Sequence, residues 1–158
     1  MDRLRVLAIC LALSGCSQNP TAPESMPSSE LSAAPSTVVI GGKTLTLTAT
    51  LWRDFQPISP PDGKPLIALL RVKTADGSAV PDDVRASMVW VVFGTEVWSK
   101  APAEERPRSA TAPAYEFMAR EGPKWGPGVE VDVVVRLTAS GGGSYLLSAR
   151  KQLIDKTQ

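Results

Sequence analysis

Residues 44–52 read Thr-Leu-Thr-Leu-Thr-Ala-Thr-Leu-Trp. Successive side chains of an extended chain point to opposite sides. The run therefore sets Leu45, Leu47, Ala49 and Leu51 on one face and Thr44, Thr46, Thr48, Thr50 and Trp52 on the other. A helical period would scatter the leucines around an axis, so the segment is a strand with one buried and one wetter face. Residues 129–138 repeat the device, with Val129, Val131, Val133, Val135 and Leu137 alternating with Glu130, Asp132, Val134, Arg136 and Thr138. A Ser140-Gly141-Gly142-Gly143-Ser144 cluster follows, and Tyr145, Leu147, Ala149 and Leu153 resume the inward set. Two alternating runs around a glycine cluster make a β-hairpin.

Three further segments read as strands. Leu66 to Lys73 starts apolar on both faces, which suits a central position. Ala86 to Trp98 holds Met88 to Phe93 in an apolar row, and Gly94 breaks it as a bulge or a switch between sheets. Tyr115, Phe117 and Ala119 mark a short strand. Turn chemistry separates the segments at Pro60-Pro61-Asp62-Gly63, Asp76-Gly77 and Gly126-Pro127-Gly128. Pro81 to Arg85 and Pro102 to Arg106 are each read as one helical turn. Short strands with turns between them predict an all-β, two-sheet antiparallel sandwich of about seven strands. Trp90 is expected in the core between the sheets, and a closed barrel is the alternative. Over residues 37–156 the pattern resembles immunoglobulin-like and fibronectin type III domains in architecture, without the antibody-type Cys…Trp…Cys.

The N-terminal region is different in kind. Arg3 and Arg5 precede an apolar run from Val6 to Leu13. A membrane-spanning helix needs about 20 apolar residues, so the run has the length of a signal-peptide core instead. It ends in Leu13-Ser14-Gly15-Cys16. This stretch resembles the lipobox of bacterial lipoprotein precursors, with a branched apolar residue three before the cysteine and small residues next to it. The resemblance implies removal of residues 1–15 as a signal peptide. It also implies lipid attachment at Cys16, through a diacylglycerol thioether and an amide-linked chain such as palmitate. One acyl chain binds a membrane only marginally, at about 0.8 kcal/mol per buried methylene, and a second makes anchoring stable. Ser17, rather than aspartate, follows the cysteine, and the sorting rule of that family then favours the outer membrane.

Residues 17–36 hold four prolines, six serines and two glutamates, with Met26 and Leu31 as the only sizeable apolar groups. Such a composition buries too little to offset its ordering entropy. Residues 16–36 are therefore expected to be a lipidated cysteine on a disordered tether with a span of roughly 25 Å, ahead of a domain at 37–158.

Composition narrows the chemistry. The chain has no histidine and 2 cysteines, Cys10 in the expected leader and Cys16 at the expected lipid. A domain without thiol or imidazole excludes Ser-His-Asp and Cys-His nucleophiles and most metal sites. No cofactor and no metal is expected. The 17 basic and 16 acidic side chains come to 15 of each once Asp2, Arg3 and Arg5 are removed. Near-zero net charge gives no electrostatic basis for binding nucleic acid.

Gly42-Lys43-Thr44 resembles the tail of a phosphate-binding loop, but position 37 is threonine and a strand follows, so no helix N-terminus forms a cradle. Glu130 and Asp132 share a strand face near 7 Å apart, about the spacing of an inverting glycosidase pair. They lie opposite the valines, which suits a solvated charged face better than a cleft. Trp52, at a strand end on the threonine face, and Trp125, in Pro-Lys-Trp-Gly-Pro-Gly, are the candidate partner-binding residues. The structural alternative is that each closes one end of the sandwich.

The expectation is a cell-envelope protein, anchored to the membrane through acyl chains on Cys16. It binds a protein partner in the envelope through its β domain and is not an enzyme. A carbohydrate- or peptidoglycan-binding module is the second reading. A hydrolase using Glu130 and Asp132 alone is the third.

Overall fold

The computed structural model describes residues 25–105, 109 and 111–157. The expected signal peptide and Cys16 lie outside these. The described strands are Thr37–Ile40 (β1), Lys43–Asp54 (β2), Leu66–Thr74 (β3), Arg85–Phe93 (β4), Glu96–Lys100 (β5), Ala114–Gly122 (β6), Glu130–Thr138 (β7) and Ser144–Thr157 (β8). They form an all-β structure. The hydrogen-bonded order is β5-β4-β7-β8-β2-β3-β6, with β1 added to β2.

The expectation was two antiparallel sheets. The described strands instead join in one curled sheet. The link is a parallel pairing of Leu51–Asp54 in β2 with Ile154–Thr157 in β8; the other pairs are antiparallel. At the far ends of the order, Ala103, just after β5, exchanges backbone hydrogen bonds of 2.8 and 2.9 Å with Met118 of β6. Of the expected helical turn at Pro102 to Arg106, Ala103 sits in this bridge instead, and Arg106 lies outside the described residues. The turn at Pro81 is a single one, closed by Val84 N donating to Pro81 O at 3.1 Å.

One long strand makes the continuity. β8 pairs with β7 along its first part and with β2 at its end. Between them lies a bulge: Val131 and Val133 face Gln152 and Ala149, so β8 carries one extra residue. Lys151 there has φ +52°, a left-handed conformation that costs a non-glycine residue. Its amide donates to Asp132 Oδ1 at 2.9 Å, which holds the kink. The extra residue inverts the in–out phase. Leu153, expected inward, is 50% exposed, and Ile154 is fully buried in its place.

Within the curl, alternation works as read. Leu45, Leu47, Leu51, Leu66, Leu70, Val89, Val91, Phe117, Val131, Val133, Val135 and Leu147 belong to one buried cluster. Burying each such side chain stabilises by about 1.5–3 kcal/mol. β3 lies between β2 and β6, the central position its apolar start suggested. Gly94 is neither bulge nor sheet switch: Phe93 pairs with Glu96, so Gly94 and Thr95 form a two-residue hairpin turn with φ +59° at the glycine. β1 was not foreseen. It turns into β2 through Gly41 and Gly42, at φ +58° and +74°, where glycine alone is unstrained.

Trp90 is buried, but not between sheets. Val89 and Val91 face the curl, and Trp90 points to the outside of it. There it forms a second cluster with Leu31, Ala34 and Val134, bordered by Met26, Met88, Val92 and Leu146. The Arg136 guanidinium lies 5.0 Å from the Trp90 ring centre.

The cover comes from the expected tether. Residues Ser28–Ala33 form a six-residue helix (α1) on the outward face of β4, β7 and β8. A helix this short is unstable alone, and Pro27 at its N-cap makes no side-chain cap. Its stability comes from the sheet. Leu31 is 1% exposed over Trp90. Arg150 Nη2 donates to the carbonyls of Leu31, Ser32 and Ala34, each at 2.9 Å. A cation at the last carbonyls of a helix is favourable. Ser148 completes the attachment, its amide donating to Pro35 O at 2.7 Å and its hydroxyl to Ala34 O at 2.9 Å.

Candidate functional surface

The rim where β2 ends is built around Arg53. It continues the inward phase of β2, after Leu51, and is 3% exposed. Nε donates to Lys64 O at 3.0 Å and Nη1 to Lys124 O and Gly126 O at 3.0 and 2.7 Å; Nη2 donates to Asp62 O. The guanidinium also sits 5.0 Å from the Phe55 ring centre. A buried cation is costly unless its donors are used. Here the fork ties the loop at 62–64 to the loop at 124–126. Lys124 adds an ion pair with Asp62 at 2.5 Å. The Lys124 ammonium, by hydrogen bond first and then by charge, holds the Asp62 carboxyl below its ordinary value, with a smaller contribution from Arg53.

Trp125 belongs to this rim. It is half-buried and packs on the main cluster. Its ring centre is 5.6 Å from that of Phe93, tilted by 46°. Its indole N–H donates to the Glu96 carboxylate. Both its apolar face and its polar atom are therefore engaged within the fold, and it closes one end of the curl.

Trp52 is placed differently. It is half-buried on the outward face of β2, opposite Ile67 of β3 and Asp155 of β8. The next row on that face is Thr50, Leu69 and Met118, and the row beyond is Thr48, Arg71 and Glu116. Leu69 and Met118 are half-buried and Thr48 and Thr50 exposed. Arg71 is ion-paired with Glu116, and Arg120 with Glu105. The result is a band of threonine and apolar side chains, edged by paired charges. The two candidate tryptophans thus lie on different surfaces, Trp52 facing outward and Trp125 inward.

Glu130 and Asp132 separate in role. Glu130 is exposed. Asp132 accepts from the Lys151 amide and from Arg150 Nη1 at 3.2 Å, so its carboxylate serves the bulge and the α1 attachment. Among the described residues no group of three His, Cys, Asp or Glu could hold a metal ion. Among them, too, no helix is long and apolar enough to cross a membrane.

Sequence reasoning missed Arg53, Arg150 and α1. The signal for Arg53 was present, since a charge on the apolar phase of an alternating strand must be paired where it lies. Leu31 was a similar signal, a lone large aliphatic in a polar segment. No protein-family model, curated protein or solved structure matches this chain.

Proposed function

We propose that this chain is a lipid-anchored protein of the bacterial cell envelope, held in the outer membrane by acyl chains on Cys16. Its role is non-enzymatic. It binds an envelope protein through the outward face of β2, β3 and β6. We read the curled sheet as an immunoglobulin-like sandwich. The grouping of β5, β4, β7 and β8 to one side of the parallel link, and β2, β3 and β6 to the other, supports that reading.

The observation that carries the binding role is the Trp52 band. Trp52, Ile67, Leu69 and Met118 share an outward face and keep part of their surface in water. Aromatic and aliphatic groups in such a setting gain by covering. Trp125 is the weaker candidate because its N–H and ring already have partners.

Mass spectrometry of the protein extracted from its own cells tests the anchor. The expected N-terminal peptide begins at acylated Cys16, and Cys16→Ser leaves the membrane fraction. A mature terminus elsewhere removes the proposal. Peptidoglycan co-sedimentation addresses the glycan reading: retention that Trp52→Ala abolishes favours it over a protein partner.

A further inference from the structure

We propose that residues 26–36 are a releasable strap. Docked, it covers an apolar face on β4, β7 and β8. Released, it lengthens the link between the anchor and the domain and uncovers Trp90.

The strap is attached unlike the long strands. β2, β3, β4, β6, β7 and β8 are each zipped to a neighbour by a backbone ladder and each buries three or more side chains. The strap buries two, Leu31 and Ala34. Its connections to β8 converge on two side chains, Arg150 and Ser148, and one amide, that of Ser148. Segments with few buried contacts open at a free energy below that of the whole domain. The sheet beneath the strap is complete without it, because Trp90, Val134 and Ser148 are held in register by β4, β7 and β8.

Release has two consequences. The six residues of α1 rise roughly 9 Å as a helix and reach roughly 22 Å extended. A pull from the N-terminal side passes through α1 before it reaches β1, so the strap opens first and the reach grows. The uncovered face then offers Trp90, Val134, Met88, Val92 and Leu146, with Arg150 ready to meet backbone carbonyls. The gain in reach rests on Cys16 as the anchor; the release itself does not.

Residue-resolved hydrogen exchange on the full chain tests this. The Ser148 amide bonds to Pro35 in the strap, whereas Val133 faces Ala149 in the β7–β8 ladder. Ser148 and Leu31 should exchange together, at least tenfold faster than Val133. Val72→Ala, in the buried cluster on β3 and away from the strap, should speed Val133 at least tenfold and leave Ser148 and Leu31 unchanged. Exchange of Ser148 and Leu31 only with global unfolding, at the rate of Val133, overturns the proposal. So does a Val72→Ala variant in which all three amides accelerate equally. These outcomes are independent of lipid at Cys16, so failure of the strap and failure of the anchor are told apart.

Discussion

On the outward face of β4, β7 and β8, Trp90 is fully buried beneath Leu31; on the outward face of β2, β3 and β6, Trp52 keeps part of its surface in water beside Ile67. Both residues sit on the outward phase of an alternating strand. Both have aliphatic neighbours across the sheet, Val134 beside Trp90 and Ile67 beside Trp52. What separates them is a short segment from outside the sheet. The strand pattern decides which side chains point outward. Whether an outward residue is surface or core depends on what else the chain lays over it.

The largest expected difference between the two faces is in stability. Trp90→Ala should cost about 3–5 kcal/mol, as a large aromatic removed from a packed site does. Trp52→Ala should cost under about 1 kcal/mol. Chemical denaturation of both variants checks the pair, and equal losses would erase the distinction.

Leu31 sharpens it. Truncation of a buried leucine costs about 2–5 kcal/mol when nothing can move away. If the strap opens as a unit, the loss is capped at its docking free energy. Leu31→Asp should then be no worse than Leu31→Ala in the same denaturation experiment. A charged variant several kcal/mol worse would mean that the strap cannot leave.

Arg150→Ala should have a smaller effect, about 1.5 kcal/mol, for lost hydrogen bonds from a charged donor. Calorimetry reads it as a lower melting temperature. The same change loosens the ion pair with Asp132. Asp132→Asn, which keeps an oxygen for the Lys151 amide, should cost less than Arg150→Ala.

The smallest stability effect lies on the bare face, where Thr48→Ala should be within about 0.5 kcal/mol of neutral. Its hydroxyl makes one long bond, 3.4 Å to Arg71 O, at an exposed site.

The difference between the faces also explains how far the fold was legible. Period-two alternation located β2, β7 and the first half of β8, because each has a clean apolar phase that the curl buries. It failed past Ala149, where Arg150 and Lys151 take up a bulge without the glycine that usually signals one. It placed Trp90 inside by residue type, whereas its phase, opposite to Val89 and Val91, puts it outside. α1 was hidden by composition. Residues 26–36 look like spacer because their apolar content is Met26 and Leu31, and Leu31 becomes a core residue only through Trp90, far along the chain. The placement of the two candidate tryptophans divided similarly. Trp52 was readable from its phase on β2, but the engagement of Trp125 depended on Phe93 and Glu96 in a distant hairpin.

Site-specific photo-crosslinking in intact cells tests the central contrast most directly, with a photoreactive residue replacing Leu69 on the bare face or Met88 beneath the strap. Leu69 should yield a crosslink to a separate envelope protein, and Met88 should crosslink chiefly within the chain, to residues 26–34. A partner captured from Met88 and none from Leu69 would contradict the account.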